Sequence, residues 1–173
     1  MTALLPIYVR DILAAGPWAL GVLRSAPAVG ALATSLILAR RAIGGDAGRI
    51  MFAAVGVFGL ASLAFGLSTS VVLSFLALMV YGASDAISVV IRQSLVQMRT
   101  PHDMLGRVLA VNSMFTGSSG SLGEFRAGAV AAALGAVPSA LIGGLGTIAV
   151  MVIWMWAFPQ LRRVDKLAPD ESP

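Results

Sequence analysis

Residues 127–161 read AGAVAAALGAVPSALIGGLGTIAVMVIWMWAFPQL, 35 positions without an acidic side chain, a lysine or an arginine. A membrane-spanning helix takes about 20 predominantly apolar residues. The run is therefore too long for one crossing and close to the length of two. Gly135-Ala136-Val137-Pro138, in its middle, is a turn signal, since glycine and proline are the strongest punctuators of local structure. The stretch predicts a helical hairpin that crosses a bilayer twice. Residues 50–84 repeat the pattern: they are free of charge over another 35 positions, with a turn signal at Gly66-Leu67-Ser68-Thr69-Ser70.

Composition agrees with these two hairpins. The chain has 173 residues, 58% of them apolar and 12% charged, and a mean hydropathy of +0.89. A soluble domain carries about 25% charged residues to keep its surface wetted, so this chain has too few to cover a globule. The absence of cysteine excludes disulfides, zinc ribbons and thiol nucleophiles together. The net charge of +4 does not point to nucleic acid, because the basic residues flank apolar spans, as orientation signals of membrane proteins do. No basic run precedes Ala3-Leu4-Leu5, which argues against a secretory signal peptide.

The reading is an all-α membrane protein with five complete transmembrane helices and part of a sixth. Met1 to Val9 is apolar but covers less than half a bilayer, and Arg10 and Asp11 mark an interface. Full spans are predicted from Pro17 to Ala39, Ile50 to Leu67, Ser70 to Arg92, the turn at Thr100-Pro101 to Leu134, and Pro138 to Phe158, closed by Pro159. Thr100 is the expected N-cap of the fourth, with Pro101 at its first position and Asp103 near the positive helix end. Trp18, Trp154 and Trp156 are placed as interfacial anchors. Arg40, Arg41, Arg49, Arg92, Arg99, Arg107, Arg162, Arg163 and Lys166 all fall on one side of an alternating topology, and the positive-inside rule makes that side cytoplasmic.

Polar residues recur at helical spacing in three spans. Ser74, Tyr81, Asp85, Ser88 and Arg92 lie within an arc of about 60°, and Asn112, Thr116, Ser119, Gly123 and Arg126 within about 80°. In the first full span Gly21, Arg24, Ala28, Ala31 and Ser35 form a stripe of small residues around one arginine. A charge near the bilayer centre costs at least about 2.5–3.5 kcal/mol on insertion scales, so these faces turn toward protein or water. The expectation is a polar cleft among the three striped helices, with the second and fifth spans against lipid. The tract Gly117-Ser118-Ser119-Gly120-Ser121-Leu122-Gly123 reads either as a close helix–helix contact or as a pliable segment beside a substrate. Glu124 lies about 160° from Arg126 around the helix, which predicts a packed neighbour for Glu124 and the cleft for Arg126.

The loop Arg40-Arg41-Ala42-Ile43-Gly44-Gly45-Asp46-Ala47-Gly48-Arg49, the stretch Pro101-His102-Asp103-Met104-Leu105-Gly106-Arg107, Ala110-Val111-Asn112-Ser113 and Leu122-Gly123-Glu124-Phe125 resemble the second half of a major facilitator superfamily transporter. Within it they look most like bacterial exporters of the enterobactin-exporter type. The resemblance implies that the spans are helices seven (partial) to twelve. Residues 1–160 would then be a C-terminal six-helix half, and 161–173 a cytoplasmic tail. It implies a multi-pass protein of the bacterial inner membrane that exports small amphipathic molecules in exchange for protons. Helices seven, eight, ten and eleven would line the cavity. Of the family's loop motif this sequence keeps Gly48 and Arg49, with the acid displaced to Asp46, and Gly106 and Arg107 begin the next such segment. It departs from its relatives in carrying arginine at position 126.

Asp85 is the leading coupling candidate: seven residues before Arg92, it is placed about 10 Å inside the cytoplasmic end. The plainer reading is a structural ion pair with Arg92. Arg24, Arg126 and Glu124, at comparable depth from the outer end, read either as a site for an anionic or polar substrate or as a snorkelling arginine and a bundle-bonded glutamate. Tyr81 and Asn112 complete the candidate set. His102 stands without acidic or cysteine companions suited to a metal, and no cofactor is implied. An intramembrane enzyme would need His-Glu-x-x-His, Gly-x-Ser-x-Gly or paired aspartates on facing helices, and the sequence has none of them. The remaining alternatives are a non-transporting fragment and a half-transporter that acts only as an oligomer. Expected partners are the lipid bilayer, a small-molecule substrate, and an N-terminal half or a second copy; an upstream reading frame encoding that half is expected. A reporter active only in the cytoplasm should function when fused after Lys166 and fail at Ser68; the opposite pattern would reverse the orientation.

Overall fold

A computed structural model describes residues 4–13, 15–40 and 47–157. The expectations placed on residues 41–46, on Phe158 and Pro159, and on the tail 161–173 lie outside the described residues. All regular structure among the described residues is helical: α1 (Leu5–Asp11), α2 (Pro17–Arg40), α3 (Ala47–Leu67), α4 (Val71–Arg99), α5 (Leu105–Leu134) and α6 (Ala136–Ala157). Four of these, α2, α3, α4 and α6, are long and apolar enough to cross a membrane. α5 is the longest at 30 residues, but Asn112, Thr116, the glycine-serine tract, Glu124 and Arg126 dilute its hydropathy. By length and composition, then, four of the described helices qualify as spans.

The helices pack as neighbours in the order α2, α4, α3, α6, α5, with the short α1 against α2 and α6. Glycines set the closest approaches. A Cβ added to Gly82 of α4 would overlap the Pro27 carbonyl oxygen of α2 and come within 2.6 Å of the carbonyl carbon. One on Gly30 of α2 would overlap the Met79 carbonyl and lie 3.1 Å from the Ala83 nitrogen. These two helices meet backbone to backbone, as helices in lipid do where small residues remove the side-chain spacer. α3 and α6 pack antiparallel with side chains seated on glycines: an added Cβ would lie 2.6 Å from the Ile148 side chain at Gly59 and 2.8 Å from that of Leu63 at Gly144, and Gly66 faces Ala140.

α1 is more than the end of a span. Leu4, Leu5, Tyr8 and Val9 are buried, the Tyr8 ring lies 4.5 Å from that of Phe65, and the Tyr8 hydroxyl donates to the Gly66 carbonyl. It closes the bundle beside the α3–α4 turn. There Ser74 Oγ donates to Ser68 Oγ at 3.0 Å, and Ser68 Oγ to the Ser70 carbonyl at 3.0 Å. A turn at this depth must satisfy its own polar groups, and its serines do so.

Three expectations are corrected. α4 continues two turns beyond Arg92 to Arg99, because no proline or glycine stops it before Thr100-Pro101. Thr100 does not cap the next helix. It ends α4, its Oγ1 donating to the Val96 carbonyl at 2.6 Å, and α5 starts only at Leu105. The packed stripe of α2 is Ala19, Leu23, Ala26, Gly30 and Thr34, so Gly21, Arg24 and Ser35 of the expected stripe are left exposed. Gly82→Ala should destabilise the bundle by about 1–3 kcal/mol, the usual cost of overpacking. Gly123→Ala, where nothing lies within 4 Å of the new Cβ, should be neutral or stabilising by up to about 1 kcal/mol. Denaturant titration in mild detergent would measure both, and equal effects would refute the backbone contact.

Candidate functional site

The side chains that could handle a substrate come from α4 and α5. α4 is centred on Asp85, which has 14 residues on either side between Val71 and Arg99. At 1.5 Å per residue that is about 21 Å from each helix end, twice the depth expected when Arg92 was taken as the end of the span. Tyr81 sits one turn earlier on the same face. Its ring lies against Phe58 of α3 at 4.1 Å, and its hydroxyl is near enough to feel the charges of both Asp85 and Glu124. Arg92 acts electrostatically on Asp85 from two turns away, on the same helix face.

α5 stands almost clear of the rest. Ala131 is its one buried residue among those described, and Met114, Phe115 and Phe125 are 73%, 72% and 75% exposed. It is held at its C-terminal end, where Ser139 Oγ of α6 donates to the Ala127 carbonyl at 2.8 Å. Gly117, Gly120, Gly123 and Gly128 would each meet nothing within 4 Å if given a Cβ. The glycine-serine tract is therefore neither a helix–helix contact within this chain nor unwound, since the helix runs through it unbroken. Two hydroxyls of this part of α5 bond back to the helix: Thr116 Oγ1 donates to the Asn112 carbonyl at 2.8 Å and Ser121 Oγ to the Gly117 carbonyl at 3.2 Å.

Because α5 leans away, a cleft of about 400 Å³ opens between it and the other helices. Tyr81, Glu124 and Arg126 line it together with Ser119, Gly123 and Ser139. Glu124 and Arg126 thus line one cavity between α5 and the other helices, although the helical wheel sets them on opposite sides of α5. α3 and α6, expected only against lipid, contribute Phe58, Ser62, Gly143 and Thr147 to the lining. Their backs still face outward, with Leu60, Val152 and Ile153 exposed. Asp85 lies in an adjoining pocket of about 110 Å³ with Ser84, Ser88, Val55, Phe58 and Thr147. Phe58 and Thr147 belong to both pockets and form the partition between them.

Arg24, Arg92 and Asn112 do not line the cleft, and Arg24 and Arg92 lie exposed on their helices. Gly48 is buried at the start of α3, Arg49 is exposed beside it, and Gly106 and Arg107 are exposed at the start of α5. Phe58, Ser139 and Thr147 carry no signal in the sequence, since an isolated aromatic or hydroxyl residue in an apolar span is ordinary. No group of acidic, histidine or cysteine residues among those described could hold a metal ion.

The arrangement offers a phenol, a carboxylate, a guanidinium and the hydroxyl residues Ser62, Ser119, Ser139 and Thr147 beside apolar Leu78 and Phe58, which suits a small molecule with both polar and apolar parts. The chain has no cysteine, so single-cysteine variants report access without background. A thiol reagent should label Ser119→Cys and Gly123→Cys at least tenfold faster than Ala140→Cys, whose position is fully buried. Equal rates would mean that the cleft is closed.

Over residues 1–172 the sequence matches the family described as transmembrane secretion effectors. Among curated proteins it is 30% identical over 124 residues to the enterobactin exporter EntS of Citrobacter koseri, a match covering 70% of this chain and 28% of that protein. The chain thus spans well under half the length of that relative. No solved structure matches.

Proposed function

The chain belongs to the transmembrane secretion effectors of the major facilitator superfamily, and from that we propose that it works as the C-terminal half of a secondary transporter that exports small amphipathic molecules against a proton gradient. Residues 1–160 would be that half and 161–173 its cytoplasmic tail. The membrane would be the bacterial inner membrane, with α5 as the fifth full crossing. The observation that carries the reading is the cleft: Tyr81, Glu124 and Arg126 face a cavity between α5 and the other helices, and the glycines of α5 have no neighbour within 4 Å of an added Cβ.

That one-sidedness is costly if the chain stands alone. Arg24, Asp85, Glu124 and Arg126 would meet lipid, and each charge at mid-membrane costs at least about 2.5–3.5 kcal/mol. A second set of helices placed against α5 and the open faces of α2 and α4 would turn the half-cleft into an enclosed, hydrated path, the arrangement that secondary transporters built from two halves adopt. α5 has the composition for that position. It is glycine- and serine-rich, bonds the Thr116 and Ser121 hydroxyls back to its own carbonyls, and presents Met114 and Phe115 as adaptable apolar contacts.

In this scheme Asp85 is the coupling residue and Tyr81 its link to the cleft. A carboxylate midway along a crossing helix can alternate between a protonated form and an ionised one held by Arg92. The phenol, one turn from Asp85 on α4 and in the same cavity as Glu124, would relate that proton to the occupant of the cavity. Arg126 and Glu124 would hold the polar end of the substrate, with Phe58 against its apolar part. Asp85→Asn should abolish proton-driven efflux in vesicles containing the chain together with its completing helices, while leaving membrane insertion intact. Efflux at the parental rate would remove Asp85 from the mechanism.

A further inference from the structure

Outside the cleft, α3 and α6 frame a second depression of about 530 Å³, lined by Arg49, Phe52, Gly56, Leu60, Met151 and Met155 among others. It exists because Gly56 has no side chain: a Cβ there would come within 3.1 Å of Met151 Sδ. It is open on the outside of the bundle, where Val57 and Leu60 are 42% and 60% exposed. Its lining is apolar apart from Arg49, which sits at one end, in the first turn of α3.

Those features specify an occupant. From Arg49 to Leu60 is 11 residues, or about 16 Å of helix, close to the roughly 15 Å depth of one leaflet's hydrocarbon. The polar end carries a guanidinium and the positive dipole of a helix start. The remaining length offers flexible methionines and an aromatic ring, which adapt to a chain without fixed shape. We propose that this groove binds one anionic phospholipid, its phosphate against Arg49 and an acyl chain along Phe52, Gly56 and Leu60. A zwitterionic lipid brings the same phosphate but adds an ammonium beside the guanidinium, so the site discriminates by net headgroup charge.

The 173-residue chain suits a quenching experiment, because Trp154 and Trp156 lie on α6 beside Met151 and Met155, and Trp18 can be replaced by phenylalanine. In vesicles of phosphatidylcholine, brominated phosphatidylglycerol should quench Trp154 and Trp156 with an apparent affinity about fivefold above that of brominated phosphatidylcholine, the effect of one basic residue at an anionic surface. Arg49→Gln should abolish that preference and Arg49→Lys retain most of it, while Gly56→Leu should weaken quenching by both lipids. Where Arg49→Gln fails to insert, raising the salt from about 0.05 to 0.5 M with the unchanged arginine should erode the preference instead. Equal quenching by the two lipids, or a preference that survives both Arg49→Gln and high salt, would overturn the site.

Discussion

The contact on which the rest of the molecule depends is the approach of α2 to α4 at Pro27, Gly30 and Gly82, where two backbones touch with no side chain between them. In a bilayer the hydrophobic effect cannot hold helices together, because lipid tails are as apolar as leucine. Association has to come from close van der Waals fit and the few hydrogen bonds available. Glycine at Gly30 and Gly82 supplies the fit, and α3 with α6 repeats the device through Gly59 and Gly144. Since α4 packs on both α2 and α3, the two glycine contacts join into one array, and Tyr81 and Asp85 of α4 lie along it beside Phe58 of α3.

The cleft follows from that constraint. With the α4 backbone committed to α2 and α3, Tyr81 and Asp85 are held along α3, and Phe58 is brought against the Tyr81 ring. α5, attached through α6 and the bond from Ser139 to the Ala127 carbonyl, stands opposite and supplies Glu124 and Arg126. The cavity is therefore assembled between a rigid glycine-packed wall and a lightly held helix. Such a helix is the element that can move with little loss of packing, since among its described residues only Ala131 would leave a buried position.

The polar groups are distributed with the same economy. Hydroxyls within the spans donate back to carbonyls of their own helix, as at Ser62, Ser84, Thr116, Ser121 and Thr147. A serine or threonine bonded in this way costs little in a membrane. The ionisable side chains cannot satisfy themselves so locally, and they gather on the open faces of α2, α4 and α5. The outer surfaces of α3 and α6 are apolar up to Arg49, the one charge lining the groove between them.

Membrane class, helix number and approximate boundaries could be read from the sequence, because runs such as residues 127–161 have no other stable home than lipid. So could the face that carries Tyr81, Asp85 and Arg92, since helical periodicity fixes which residues of one helix share a side. The ends of helices were less legible: nothing local distinguishes Arg92 as an end from Arg92 as an interior residue, and Asp85 moved to mid-helix once α4 was seen to run on to Arg99. What one helix sees across a gap was not legible at all. Gly30, Gly82 and Gly59 look like Gly117, Gly120 and Gly123 in a sequence, yet the first two are pressed against backbone, the third against the Ile148 side chain, and the last three face open space. Glu124 and Arg126, on opposite sides of a helical wheel, line one cavity because α5 stands a little apart from the other helices. Periodicity along a chain is a one-dimensional property and sequence states it. Which faces are covered depends on the order in which helices pack, and that is decided by contacts between residues far apart in the chain.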